Sequence, residues 1–180
     1  MPVPTLHYHP LSSYCHKLLI AIVLLEIEAD TRLLNLGDAA ERAAYLALWP
    51  IGKMPLLVDQ GRPIAETSII IEHLQRHHAR PGRALIPHDP DAALEVRLWD
   101  RLFDLYVMTP MQAFTANLLR PENDRDALGV ARAGDSLRSA YALIDSHLAE
   151  RRTWVAGDAF SMADCAAAPA LFYAVTYVPL

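Results

Sequence analysis

Pro81, Gly82, Pro87 and Pro90, crowded between Arg80 and Asp91, divide this sequence into two pieces with different periodicities. Proline fixes φ and lacks a backbone N–H, so a segment dense in proline and glycine interrupts any continuing helix or strand. Residues 80–91 therefore read as a linker between a unit over residues 1–79 and a unit over residues 92–180.

The first piece alternates strand and helix signals. Leu6–His9 is a short strand ended by Pro10, and Ser12 and Ser13 precede the apolar run Leu18–Leu25. That run is apolar on every side, so as a helix it belongs in a core. Thr31–Leu36 reads as a second strand. Asp38 and Glu41 have capping-box spacing and open an Ala-rich helix that runs to about Trp49. Met54–Val58 and Arg62–Ala65 flank the Asp59-Gln60-Gly61 turn and form a hairpin. Glu66–His78 is a third helix carrying Ile69, Ile70, Ile71 and Leu74. The order is βαβαββα, and a right-handed first crossover makes the first two strands parallel.

The second piece carries only helical signals. Leu94, Leu98, Leu102 and Leu105 form one stripe, and Trp99, Phe103 and Tyr106 another, so this helix is expected inside a bundle. Val130, Leu137, Tyr141, Ile144 and Leu148 mark a second long helix. Ser161–Ala174 is a third, opened by a Ser-x-x-Asp cap at Ser161 and Asp164. The predicted fold class is an α/β unit followed by an all-α unit.

Composition narrows the function classes. With 53% hydrophobic and 21% charged residues, the 180-residue chain can build a real core. A formal net charge of −5 and the lack of a basic stripe argue against a nucleic-acid partner. The longest apolar run, Leu18–Leu25, falls far short of the roughly 20 residues that span a bilayer. Met1-Pro2-Val3-Pro4 lacks the basic start of a signal peptide, and two cysteines, Cys15 and Cys165, do not make a disulfide scaffold; a cytoplasmic location is expected.

Four motifs carry a resemblance to the glutathione transferase superfamily. His9-Pro10-Leu11-Ser12-Ser13-Tyr14-Cys15-His16-Lys17 resembles the active-site loop and first helix of its Ser-type and Cys-type classes. Gly52-Lys53-Met54-Pro55-Leu56 resembles the loop that carries its cis-proline. Glu66-Thr67 matches the acidic and hydroxyl pair that opens its third helix, and Gly157–Asp164 resembles the capping motif of its helical domain. The resemblance covers nearly the whole chain. It implies a thioredoxin-like N-terminal domain, a helical C-terminal domain and glutathione as co-substrate. Two features depart from the pattern: Trp49-Pro50 stands where Asn-Pro is common, and the sequence ends at Leu180, where family members usually continue with helices that pack over the site.

The resemblance also implies roles. An ordinary thiol has a pKa of about 8.5. Ser12, at a loop-to-helix junction, has a hydroxyl to donate to sulfur, and the helix N-terminus adds N–H groups and partial positive charge. Met54 is expected to pair its backbone with the cysteinyl unit of glutathione, as an added strand would. Pro55 in cis presents those groups, Glu66 takes the γ-glutamyl ammonium, Thr67 takes its carboxylate, and Lys53 reaches the glycyl carboxylate. The expected reaction is attack of the thiolate on a small hydrophobic electrophile. A glutathione-dependent isomerase, a thiol reductase and a non-catalytic binding module are the alternatives. A homodimer is expected, with Ile69–Ile71 partly covered by a partner.

Each residue also has a plainer reading. Ser12 and Ser13 have the position of helix caps. Tyr8 is a rival thiol donor, or a half-buried strand aromatic. Cys15 stands three residues after Ser12 and reads as an inert thiol, Cys165 as core. Lys53 is equally a solvated loop charge. His73 and His77 lie four apart on one helix face, a ligand-capable spacing, but with no third ligand near in sequence no metal is expected. His7 and His9 share a strand face with the same result.

Overall fold

The structure, a computed structural model, describes residues 2–149 and 153–180. It forms two compact units, the first ending at Leu85 and the second beginning at Ile86.

The first unit runs β1 (Thr5–Tyr8), α1 (Ser13–Leu24), β2 (Asp30–Leu33), α2 (Ala39–Leu48), β3 (Leu56–Asp59), β4 (Arg62–Ile64) and α3 (Thr67–His77). The sheet order is β2-β1-β3-β4. β1 pairs in parallel with β2 and antiparallel with β3, and β3 and β4 form the antiparallel hairpin. The parallel pair matches the expected crossover.

Successive strand residues face opposite sides of the sheet. Leu56 faces α2 and joins Leu34 and Tyr45 in one core cluster, against which Trp49, Met54 and Ala65 pack. Leu57 faces the other way, where α1 packs on α3. β3 begins at Leu56 rather than at Met54, since Pro55 has no N–H for a ladder. α1 is not buried all round: Val23 and Leu24 are exposed. Its twelve residues span about 18 Å, whereas a four-residue strand reaches only about 13 Å, so the last turn outruns the sheet.

Asp38 caps α2 by accepting from the Glu41 N–H at 2.8 Å. Glu41 does not return the bond to Asp38; its carboxylate accepts from the Asn35 N–H at 2.9 Å and ties down the β2–α2 loop. The proline-rich segment begins against this unit, where Arg80 and Arg83 both pair with Glu26.

The second unit contains α4 (Pro90–Leu102), a π-helical segment (Phe103–Met108), α5 (Thr109–Leu118), a 3-10 turn (Glu122–Asp124), α6 (Ala127–Leu148) and α7 (Met162–Ala174). Phe103, Val107, Met108, Leu137, Cys165, Ala166 and Ala170 are buried in its core. Trp99 stacks on His147 with ring centroids 3.8 Å apart. Ser161 and Asp164 form the expected capping box, and Asp164 also accepts from the Val155 N–H at 2.9 Å.

Two expectations fail here. Of the stripe Leu94, Leu98, Leu102 and Leu105 only Leu102 is buried; the other three and Tyr106 are more than half exposed, so the first helix of this unit shows much of one apolar face to solvent instead of sitting wholly inside the bundle. The helix also does not keep α geometry throughout, since Phe103–Met108 winds as a π-helix. Pro110 has no N–H to offer the Tyr106 carbonyl, and the winding loosens just before it. The Thr109 N–H and hydroxyl both reach back to the Asp104 carbonyl, five residues earlier.

Candidate functional site

The loop after β1 is fixed by its own short bonds. The Ser12 N–H donates to the His9 carbonyl at 3.0 Å, the Leu11 N–H to His9 Nδ1 at 3.2 Å, and His16 Nε2 lies 2.6 Å from the Pro10 carbonyl. Ser12 then caps α1 in extended backbone, its Oγ accepting from the Cys15 N–H at 3.3 Å. Capping uses Oγ as an acceptor and leaves its hydrogen to donate. No acidic residue lies in the first turn of α1, so nothing there offsets the positive end of the helix dipole.

Ser12 opens onto a cavity of about 430 Å³ lined by His9, Leu11, Leu34, Asn35, Leu36, Gly37 and Met54 as well. Met54 arrives from the opposite loop. Tyr45, almost fully buried, donates its hydroxyl to the Lys53 carbonyl at 2.7 Å and holds that loop against the core. The Met54–Pro55 peptide is cis, as the resemblance implies. Registered pairs between β1 and β3 end at His7–Leu56, leaving Met54 beyond the ladder. The fold thus brings Ser12 and Met54 to one cavity.

Lys53, Pro55, Glu66 and Thr67 are not among its lining residues. Lys53 is exposed beside Met54, and Pro55 is buried. Glu66 lies outside α3 as its N-cap, exposed, at φ 67 and ψ 114, a conformation costly for a residue with a Cβ. Thr67 is the buried first residue of α3. Tyr8 is likewise absent from the cavity lining.

Cys15 is fully buried. Burial pushes its thiol up from its ordinary value, and the hydrogen bonds with Ser12 and His9 pull it back only in part, which fits an inert thiol. Burial likewise pushes Tyr45 up from 10.0 to about 12, with the neighbouring Cys15 adding to it. Sequence reading missed Asn35 and Gly37, whose only signal was a turn-like Asn-Leu-Gly-Asp. It also missed Lys17, wholly buried in α1 and donating from Nζ to Ser68 Oγ at 3.0 Å.

The histidines pair differently from what their helical spacing suggests. His73 does have ligand-type partners, but they are Asp59 and His78 rather than His77: both Nε2 atoms lie 2.8 Å from Asp59 Oδ2. Asp59 was read only as a turn residue. Burial pushes its carboxyl up, but the hydrogen bonds and charges of His78 and His73 outweigh burial and hold it below the ordinary 3.8.

Residues 6–82 match the family model for the glutathione S-transferase N-terminal domain, and residues 127–179 the model for the C-terminal domain. The chain is 32% identical over 151 residues to glutathione S-transferase 3 of Zea mays, covering 81% of this chain and 67% of that one. It is 27% identical over 170 residues to a maleylacetoacetate isomerase of Pseudomonas aeruginosa, covering 93% and 79%. Among solved structures it resembles a glutathione S-transferase from Methylobacillus flagellatus with glutathione bound, at 28% identity and a TM-score of 0.86, covering 94% of this chain and 82% of that one. With both domain models matched in order and the cis-proline and capping motifs in their expected places, the chain belongs to the glutathione S-transferase family.

Proposed function

We propose that this chain binds glutathione beside Ser12 and joins it through its sulfur to a small hydrophobic electrophile. The observation that carries the reading is Ser12 itself: its Oγ caps α1, keeps a hydrogen to donate, and lines an open cavity with Met54. A thiolate in that cavity takes the Ser12 O–H as donor and feels the positive end of α1. One charge-assisted hydrogen bond contributes about 1.5–3 kcal/mol, or roughly one to two pKa units, which favours the thiolate without a base. The thiol proton passes to bulk water, the sulfur attacks an electrophilic carbon, the new S–C bond forms, and the leaving group departs with its electron pair.

Met54 supplies the backbone edge for the cysteinyl unit, with Pro55 turning the chain. Glu66 and Thr67 take the γ-glutamyl end, and Lys53 the glycyl carboxylate. No metal enters this chemistry. The protein works in the cytoplasm as a homodimer; the half-exposed Ile69 and the exposed Leu94, Leu98 and Leu105 supply apolar surface for a partner.

A second reading is favoured by the similarity to the isomerase over 93% of the chain. There glutathione adds to a double bond, permits rotation and is eliminated, so none is consumed. The test assays purified protein with glutathione and an aryl halide, then with a cis-olefinic diacid. Conjugation with loss of free thiol supports transfer. Isomerisation at constant thiol supports the second reading, and glutathione binding without turnover of either substrate supports a binding module.

A further inference from the structure

We propose that Asp59, His73 and His78 form a binding site for a divalent transition metal of the zinc class, apart from the glutathione cavity. Asp59 ends β3, His73 lies in the last turns of α3, and His78 caps that helix. His78 has left helical backbone, at φ −131 and ψ −17, which turns its ring back toward the sheet. The two Nε2 atoms converge on one carboxylate oxygen, and the three ligand atoms lie within 4.8 Å of one another.

Two imidazoles and a carboxylate are a donor set that suits zinc. Metal–ligand distances of about 2.0–2.2 Å in a tetrahedron place neighbouring ligand atoms roughly 3.3 Å apart. The two 2.8 Å separations from Asp59 therefore need to open by about half an ångström, while the two Nε2 atoms, within 4.8 Å of each other, settle to the same spacing around the ion. The surroundings favour an ion over bare hydrogen bonding. Asp59 is 4% exposed, and its second oxygen, Oδ1, is buried with no hydrogen-bond partner among the described residues. Asp100 and Asp104 also have such an oxygen, but only at Asp59 do two imidazoles converge beside it, and there bidentate contact with a cation accounts for it. The His73 side chain is 21% exposed and that of His78 is 7%, so an ion enters from the His73 side, where water completes the coordination. A bound ion ties the end of β3 to the far end of the helix whose start carries Glu66 and Thr67.

The experiment uses the full chain without a histidine tag, stripped with chelator and titrated with Zn²⁺, and with Co²⁺ as a spectroscopic probe. The expected result is saturation at one equivalent per chain, visible Co²⁺ bands of low-coordinate type, and an unfolding temperature raised by several degrees with Zn²⁺. Asp59→Asn and His78→Gln, checked as folded by circular dichroism, lose the bands and the thermal shift, whereas His77→Ala keeps both. No saturable binding by the folded wild type overturns the proposal. So does equal loss in His77→Ala, or retention of the bands in both Asp59→Asn and His78→Gln. Should either of those variants fail to fold, calorimetric titration of the wild type decides alone: one saturable equivalent upholds the site, and its absence overturns it.

Discussion

Lys17 in α1 donates its ammonium to the Ser68 hydroxyl in α3 at 3.0 Å, with the lysine wholly buried. The bond joins the helix that begins at Ser12 to the helix that begins beside Glu66. Lys17→Ala removes a long aliphatic stem and a donor together, and is expected to cost about 2–4 kcal/mol. Lys17→Met keeps most of the volume and is expected to cost markedly less. Urea unfolding measures both, and equal losses in the two variants would refute the packing half of the argument.

Ser12→Ala is expected to fold and bind glutathione but to slow conjugation by roughly ten- to a hundredfold, the loss of one charge-assisted hydrogen bond. Its cap also disappears, so stability falls by about 1 kcal/mol. Steady-state rates for Ser12→Ala and Tyr8→Phe assign the donor: unchanged turnover in the first and a large loss in the second would move the role to Tyr8.

Glu66 combines an exposed carboxylate with φ 67, and two substitutions separate the two features. Glu66→Ala keeps the strained backbone and is expected to weaken glutathione affinity more than the chemical step, since its contact is to the remote γ-glutamyl end. Glu66→Gly is expected to lose the same affinity while gaining about 1 kcal/mol of stability, because glycine accepts this φ. Calorimetric binding and thermal unfolding test the pair, and an unaltered dissociation constant in Glu66→Ala removes it from the site.

Tyr45 sets an alkaline limit. In the folded chain its phenol keeps its proton up to about pH 12, whereas the unfolded chain releases it near 10.0. The unfolded state therefore binds fewer protons in this window. The tyrosine's contribution is complete below pH 10 and is lost as pH rises towards 12. Tyr45→Phe should flatten that part of the stability profile while weakening the anchor on the Lys53 carbonyl. Unfolding midpoints on either side of the window check this; an identical alkaline decline in the variant would assign it to another group.

The order of elements in the first unit and the caps at Ser12, Asp38 and Ser161 were legible in the amino-acid sequence, because those signals act over a few residues, whereas α5 and the caps at Asp89 and Asp126 were not read. Ser12 and Asp38 each cap a helix through a backbone N–H three residues on, Ser161 and Asp164 form a capping box, and the division at Leu85–Ile86 falls within the proline- and glycine-rich segment. The same short range explains why Ser12 was found and Asn35 was not. A turn residue acquires a place in a cavity only when a second loop, here that of Met54, is folded against it.

What the tertiary structure alone decided is which distant residues meet and which faces are covered. Helical spacing pairs His73 with His77, but the helix ends at His77 and chain reversal delivers His78 to Asp59, nineteen residues away in sequence. α3 places Ser68 beside Lys17, which no spacing in the sequence announces, and Leu94, Leu98 and Leu105 are exposed although their spacing reads as core. Hydrophobic periodicity says that a face is apolar; whether that face is buried depends on the neighbours that reach it, a property of packing that no local run of residues encodes.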